Sequence, residues 1–144
     1  MIDAEQSDYT YMKRCFKLAE LARTEGDAAV GCVIVHADEI LAEACERVVA
    51  HQDPTAHAEL LAIRRACESL GSIDLSGCTL YTNIEPCWMC SFAIRETRIS
   101  AVVVAQPIDG VGGVTSRYPI LTDGGIDGWG GPPNITWLTP ESVA

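Results

Sequence analysis

The sequence predicts an α/β protein, a three-layer α/β/α sandwich with a mixed central sheet of about five strands. The first two apolar, β-branched runs are separated by a short polar turn, which indicates a hairpin. The later apolar runs alternate with helical segments, which indicates parallel strands with helices on both faces. A chain of 144 residues suffices for one well-buried core, so we expect a single domain over residues 1–144.

The first elements are a helix and the hairpin. Apolar residues spaced by three or four predict an amphipathic helix over 8–23 that ends near Gly26. The run 29–35 predicts the first strand. The polar residues 36–39 would then turn the chain into a second strand that starts at Ile40.

A second helix is expected in the middle of the chain. After a polar loop, Asp53 is a candidate N-cap and Pro54 a candidate first helical residue. The apolar side of this helix runs to about Leu70, and Gly71 ends it. A short buried strand is predicted over 79–83.

The next helix is predicted to open at Pro86 and to run through Ile94, followed by an apolar strand over 99–105. Two glycine-rich stretches, 109–113 and 123–131, come after that strand. Neither stretch has the spacing of a phosphate-binding loop. We interpret both as surface loops, with a substrate lid as the alternative, and expect an edge strand near the C-terminus.

Charge limits the classes of partner. The chain has 10 Lys and Arg against 20 Asp and Glu, a formal net charge of -10. Proteins that bind a polynucleotide backbone normally present a basic surface, so we do not expect a nucleic-acid partner. No apolar run approaches the roughly 20 residues that span a bilayer, and the N-terminus is acidic, unlike a signal peptide. We therefore expect a cytoplasmic protein with no membrane partner.

The cysteines do not indicate a disulfide framework. The chain has 7 of them, an odd set without the regular spacing of a small secreted scaffold. We interpret five as small buried hydrophobic residues with free thiols. These are Cys15, Cys32, Cys45, Cys67 and Cys78.

Two short motifs predict a metal site. They are His57-Ala58-Glu59 and, thirty positions later, Pro86-Cys87-Trp88-Met89-Cys90. Structural zinc is usually closed by four protein ligands, whereas catalytic zinc keeps three and leaves one position for water. We predict that His57, Cys87 and Cys90 bind Zn²⁺ in the open, catalytic manner.

The remaining polar residue of the motifs, Glu59, is the predicted catalytic residue. Zinc lowers the pKa of a bound water toward about 7, which yields hydroxide under mild conditions. H-x-E with P-C-x-x-C resembles the signature of zinc deaminases. This implies that Glu59 takes the water's proton, delivers it to a ring nitrogen and helps the leaving amino group depart as ammonia. Both motifs are expected at helix N-termini, where backbone N–H groups favour the thiolate form of cysteine.

The stretches Asp53-Pro54-Thr55-Ala56-His57-Ala58-Glu59 and Tyr81-Thr82-Asn83-Ile84-Glu85-Pro86-Cys87-Trp88-Met89-Cys90 resemble the cytidine deaminase-like superfamily. They are most similar to the branch that holds tRNA adenosine, guanine and cytosine deaminases. The resemblance implies the same zinc ligands and proton carrier, and a homodimer or larger oligomer. It also implies that the backbone near Ala58 and the Glu85-Pro86 turn lie beside the substrate.

Two residues near the predicted site bear on the substrate. Where the family commonly has an asparagine after the second strand, this chain has Glu46. An ionised glutamate only accepts hydrogen bonds, so a pocket-facing Glu46 calls for a substrate with N–H donors, such as guanine or an amino-triazine. The alternative is that Glu46 points to solvent or pairs with Arg47. Trp88 either forms a pocket wall that stacks on a flat ring or packs in an interface.

The sequence thus favours a zinc-dependent hydrolytic deaminase of a small heterocyclic base, an amidine hydrolase of nucleobase metabolism. Guanine is the first expectation, followed by cytosine or an amino-triazine. The alternative is a tRNA adenosine-to-inosine deaminase, which needs a basic surface to hold its RNA. A more remote alternative is a zinc-binding interaction module without catalysis, which would have no use for Glu59.

Overall fold

The computed structural model describes residues 4–139, which build a five-stranded sheet in the order β2-β1-β3-β4-β5. The strands are β1 (Gly31–His36), β2 (Glu39–Cys45), β3 (Thr79–Ile84), β4 (Ala101–Gln106) and β5 (Asn134–Trp137). β1 runs antiparallel to both β2 and β3, whereas β3, β4 and β5 are mutually parallel. The predicted mixed sheet is therefore confirmed, including the C-terminal edge strand.

The hairpin turn forms because two residues adopt a left-handed backbone. Ala37 and Asp38 have φ angles of 51° and 64°. Two consecutive positive φ values are typical of the tight hairpin turns whose twist matches that of the flanking strands. This turn sets the β1–β2 register and brings the end of β2 back toward the start of β1.

Helices cover both faces of the sheet. They are α1 (Ala4–Thr24), α2 (Val48–His51), α3 (Ala58–Leu70) and α4 (Trp88–Glu96). The core beneath α1 contains Met12, Cys15, Leu18, Ala22, Val33, Val35, Tyr81 and Val103. The core beneath α3 and α4 contains Ile34, Ala62, Ile63, Ala66, Leu80, Ile94, Val102 and Val104. The two cores lie on opposite faces because side chains alternate along each strand, which confirms the three-layer sandwich.

The predicted start of α3 is wrong by several residues. Asp53 does not cap this helix, because its Oδ1 accepts hydrogen bonds from the N–H and hydroxyl of Thr55 at 2.8 and 2.7 Å. The chain then stays extended, held by a hydrogen bond from the Arg47 N–H to the Ala56 carbonyl at 3.0 Å. The N-cap is His57 instead, and the predicted end at Gly71 is confirmed.

The start of α4 is also later than predicted. Cys87 is its N-cap, and the carbonyl of Pro86 accepts a hydrogen bond from the Gly113 N–H at 2.8 Å. The short helix α2 lies where the sequence indicated the approach to a polar loop. Its first N–H groups are capped from a distance, since the Asp27 carboxylate accepts hydrogen bonds from Val49 and Ala50.

The first glycine-rich stretch is an exposed surface loop over residues 109–111, whereas its last two residues are packed into the protein. Gly112 and Gly113 are buried, and a Cβ atom on either would lie 2.0 Å from a side-chain oxygen, of Glu85 and Ser91 respectively. Real Cβ atoms do not approach an oxygen so closely, so only glycine fits at these two positions. The end of the stretch is thus packed onto the residues that lead into α4.

The second glycine-rich stretch is tied to the other end of α4. The guanidinium of Arg95 donates hydrogen bonds to the carbonyls of Ile120, Asp123 and Gly130 at 2.7 to 3.1 Å. It also lies 4.9 Å from the centre of the Trp129 ring. A buried guanidinium needs such partners, and here they are loop carbonyls.

Among the helices of residues 4–139, none has both the length and the apolar character that crossing a bilayer requires.

Candidate active site

The three predicted metal ligands meet at one point. The Nδ1 atom of His57 lies 3.5 Å from Cys87 Sγ and 3.6 Å from Cys90 Sγ. All three ligand atoms lie within 4.8 Å of one another. Residues thirty or more positions apart in the chain therefore form a single donor cluster.

The cluster fits zinc. Zn–S bonds of about 2.3 Å and a Zn–N bond of about 2.0–2.1 Å, set at a tetrahedral angle, place sulfur and nitrogen about 3.6 Å apart. The two sulfur–nitrogen distances at His57 match this value. Two thiolates and one imidazole are also soft donors of the kind that zinc prefers. These residues would hold the metal with three protein ligands.

The local fold favours thiolate formation. Cys87 is the N-cap of α4, and Cys90 lies in its first turn. A hydrogen bond from the Cys90 thiol, aided by the backbone N–H groups of Cys90 and Met89, lowers the pKa of Cys87 to about 5 against the opposing effect of burial. The neighbouring Cys87 sulfur and burial raise the pKa of Cys90. Zinc binds both cysteines as thiolates, so its binding would displace the remaining thiol proton.

Glu59 lies beside the cluster, in the first turn of α3, and is 4% exposed. Burial raises its pKa to about 7. The Thr82 hydroxyl lies 3.5 Å from Glu59 Oε1, at the far limit of a hydrogen bond. A carboxyl group with a pKa near neutrality both accepts and returns protons readily, as a proton carrier must.

Glu46 is buried, 8% exposed, and does not pair with Arg47, which forms an ion pair with Glu25. Its Oε1 accepts the Ala58 N–H at 2.8 Å and so caps α3 from a distance. Burial raises its pKa. Its Oε2 has no hydrogen-bond partner within residues 4–139, where no fully buried side-chain oxygen is left unpaired. Oε2 therefore contacts solvent.

Several groups expected beside the substrate are already engaged within the protein. The Ala58 N–H is taken by Glu46. The Glu85 carboxylate is buried in hydrogen bonds to the 108–115 segment, and the Pro86 carbonyl accepts from Gly113. Trp88 is half-exposed, and its indole N–H donates to Ser116 Oγ at 2.9 Å. Of these predicted substrate contacts, the Glu46 oxygen and the Trp88 ring have a free surface.

Sequence reasoning missed polar residues inside β3. Asn83 donates to the Ala29 carbonyl and accepts the Gly31 N–H, at 2.9 and 2.8 Å, which fixes the loop that enters β1. Thr82 approaches Glu59 from the same strand. The available signal was two polar side chains in a strand read as buried, because buried polar groups require partners.

Loss of a ligand should remove the metal. We expect His57→Ala and Cys90→Ala to lose most of the zinc that purifies with the native chain, since three ligands leave no redundancy. Elemental analysis after gel filtration measures this. Cys67→Ala is the matched control, because Cys67 is a free cysteine outside the cluster. Equal zinc content in all four proteins would contradict the assignment.

Known proteins are similar in sequence to this chain. Residues 5–106 match the family model of the cytidine and deoxycytidylate deaminase zinc-binding region. The tRNA-specific adenosine deaminase of Aquifex aeolicus (strain VF5) is 41% identical over 113 residues, which cover 78% of this chain and 75% of that enzyme. The guanine deaminase of Bacillus subtilis (strain 168) is 45% identical over 97 residues, covering 67% of this chain and 62% of that enzyme.

Solved structures of deaminases have a similar fold. A chain from structural studies of A-to-I editing by tRNA:A34 deaminases superposes with a TM-score of 0.82 and 29% identity, covering 90% of this chain and 97% of that one. The X-ray structure of guanine deaminase from Bacillus subtilis gives 0.67 and 42%, covering 74% and 66%. The chain therefore belongs to the cytidine and deoxycytidylate deaminase family, within the cytidine deaminase-like superfamily, and is a zinc-dependent nucleobase or nucleoside deaminase.

Proposed function

We propose that this deaminase acts on a small free heterocyclic base and releases its amino group as ammonia, with guanine as the first candidate and cytosine or an amino-triazine next. The observation that carries the substrate class is the buried Glu46 carboxylate. Its Oε1 accepts the N–H of Ala58, the residue after the predicted ligand His57, and its Oε2 has no partner among residues 4–139. It accepts hydrogen bonds and donates none when ionised.

The residues of the site supply the proton chemistry. When bound by His57, Cys87 and Cys90, zinc would lower the pKa of water and so provide a nucleophile near neutral pH. Glu59 holds a proton at a pKa of about 7, beside the cluster. Glu59 would accept the first proton of that water and pass it to the ring nitrogen next to the attacked carbon. It would then move the second proton of the water to the amino group, which leaves as ammonia while the carbon keeps the oxygen. Its burial keeps bulk water from competing for the proton.

Glu46 and Trp88 provide the binding contacts. The amidine-like edge of guanine presents adjacent N–H donors, which match a carboxylate acceptor better than the acceptor edge of cytosine does. The half-exposed indole of Trp88 offers an apolar face to a flat ring. A base with N–H donors and a planar apolar body meets both groups.

The charge balance supports a small neutral substrate. The formal net charge is -10, and three of the ten basic residues, Arg14, Arg23 and Arg47, form ion pairs with glutamates. These arginines offer little free positive charge to phosphate groups. A neutral base approaches such a surface without an electrostatic penalty.

A tRNA adenosine deaminase is the second candidate, and a specific observation favours it. The tRNA-specific enzyme of Aquifex aeolicus shares 41% of its residues over 78% of this chain, and the structure from the tRNA:A34 deaminase study has a TM-score of 0.82. These similarities outweigh those to guanine deaminase in coverage. The formal net charge of -10 and the hydrogen-bond acceptor Glu46 favour a small base instead.

Ammonia release separates these functions. The zinc-loaded protein is assayed with guanine, cytosine, adenine, their nucleosides, amino-triazines and an adenosine-containing tRNA stem-loop. We expect turnover of guanine, and we expect Glu59→Gln to reduce it by about 10² to 10⁴-fold because the proton carrier is lost. The variant should keep its zinc and its fold. Turnover of the stem-loop alone would replace the proposal with the second candidate.

Glu46 is the second target. We expect Glu46→Ala to lower the melting temperature, because the Ala58 N–H loses its cap. We also expect it to lower kcat/KM for guanine by about 10- to 100-fold, the cost of one lost polar contact in a specific pocket. The effect on cytosine should be smaller, because cytosine presents fewer N–H donors. Glu43→Ala is the control, because Glu43 lies on β2, which ends one residue before Glu46, and pairs with Arg14. Unchanged guanine kinetics in Glu46→Ala would remove Glu46 from the binding site.

We also propose a homodimer whose interface is an aromatic face beside α4. This face consists of Phe92 on α4 and of Tyr118 and Trp129, which lie between β4 and β5. Phe92 is 53% exposed and Tyr118 is 56% exposed, while Phe92 packs edge-on against Trp129 at 5.4 Å. Aromatic residues of this kind are enriched at interfaces. A second copy that presents the same face would cover them with two-fold symmetry.

Sedimentation velocity tests the dimer. We expect the native protein to sediment as a dimer and Phe92→Arg as a monomer, because two charges would be buried opposite each other across the two-fold axis. Ile73→Arg is the matched control, since Ile73 is 77% exposed and lies in the turn after α3. A native monomer, or dissociation by both variants alike, would contradict the proposed face.

A further inference from the structure

Glu85 is a buried carboxylate without a cationic partner. It is 2% exposed, and no salt bridge of residues 4–139 involves it. Its Oε2 accepts the N–H groups of Val114 and Thr115, both at 2.8 Å. Its Oε1 accepts the Thr115 hydroxyl at 2.6 Å and the Ile108 N–H at 3.2 Å. Four donors from one short segment therefore stabilise a single buried charge.

The segment that Glu85 holds, residues 108–116, lies along the start of α4. The Trp88 N–H donates to the Val111 carbonyl at 3.0 Å, and Cys87 forms an isolated antiparallel bridge with Gly112. Ser116 accepts the indole N–H of Trp88 at 2.9 Å. The segment thus contacts a metal ligand on one side and the Trp88 ring on the other.

The fit between Glu85 and this segment is close. A Cβ atom at Gly112 would lie 2.0 Å from Glu85 Oε2 and 2.4 Å from its carboxyl carbon. The Gly113 N–H bonds to the Pro86 carbonyl at 2.8 Å, directly beside Glu85 in the chain. Any displacement of the carboxylate therefore moves the backbone that supports Trp88.

We propose that Glu85 is a positioning residue for the deamination: its carboxylate fixes segment 108–116, which in turn holds the Trp88 ring where a flat substrate stacks. Glu85 itself touches no substrate, because all of its oxygens face the segment. This inference rests on the proposed function, in which Trp88 contacts the base. It assigns the first glycine-rich stretch a part in substrate binding.

The kinetic test uses Glu85→Gln. Glutamine has the same shape but places an NH₂ group against N–H donors, which breaks at least one pair of hydrogen bonds. Loss of a binding wall weakens ground state and transition state alike, so we expect KM for guanine to rise about tenfold while kcat stays within about threefold. Bound zinc should be unchanged.

A second variant disturbs the contact between Glu85 and segment 108–116 by changing the segment instead of the carboxylate. Gly112→Ala leaves Glu85 intact but pushes the segment away from it, so it should reproduce the rise in KM. Val103→Ala is the control for lost stability alone, because Val103 lies in the core beneath α1, on the face of the sheet opposite to α4. It should lower the melting temperature and leave KM unchanged.

A spectroscopic readout is independent of any substrate. In a background with Trp129→Phe and Trp137→Phe, the emission reports on Trp88 alone, since the chain has 3 tryptophans. We expect Glu85→Gln and Gly112→Ala to shift this emission to the red and to increase its quenching by acrylamide. Val103→Ala should leave both unchanged.

The outcomes separate the two proposals. Unchanged Trp88 emission in Glu85→Gln and Gly112→Ala, with only a lower melting temperature, would overturn the positioning role. Shifted emission with an unchanged KM for guanine would overturn it as well, while the proposed function stands. Shifted emission in a protein that does not turn over guanine would support the positioning of Trp88 and reject guanine as substrate.

Discussion

The convergence of two helix N-termini on one imidazole is the constraint on which the rest of the site depends. His57 Nδ1 meets both sulfurs within 3.6 Å only because α3 and α4 begin side by side at the same edge of the sheet. Parallel β3 and β4, joined through α4, place one helix there. Glu46, at the end of the hairpin, places the other by accepting the Ala58 N–H. Each ligand is therefore set by backbone geometry rather than by side-chain flexibility.

Two buried charged side chains, one at each end of α4, fix the loops that pack against this helix. Glu85, just before the helix, gathers backbone N–H groups, whereas Arg95, in its last turn, gathers backbone carbonyls. The signs match, because an anion needs donors and a cation needs acceptors. An isolated buried charge is costly, so each loop is held in the one arrangement that satisfies its partner. Both glycine-rich segments are thereby tied to α4, although residues 123–131 remain largely exposed at the surface.

The sheet, helices α1, α3 and α4 and the candidate metal ligands were predictable because they follow from local patterns, whereas the short helix α2 was not predicted. Alternating and helical periodicity defined the strands and α3, and Gly71 ended that helix as a left-handed C-cap. The start of α3 was not predictable from Asp53, because a local turn with Thr55 competes for the same carboxylate. The loop structure was missed for a different reason. Glu85 and Thr115 are 30 residues apart, and no spacing rule links a carboxylate to backbone donors at such a distance.

The charges inside the site bear on substrate choice more directly than the net charge of the chain does. Two thiolates balance the charge of one zinc ion, so Glu59 and Glu46 leave the pocket negative whenever they are ionised. Burial raises the pKa of both carboxyl groups, which shows that negative charge in this pocket is costly. A substrate that donates N–H groups to Glu46 relieves part of that cost, whereas a phosphate near the same pocket would add to it. The similarity of this chain to tRNA-specific adenosine deaminases and the acidic side chains of its pocket therefore favour different substrates.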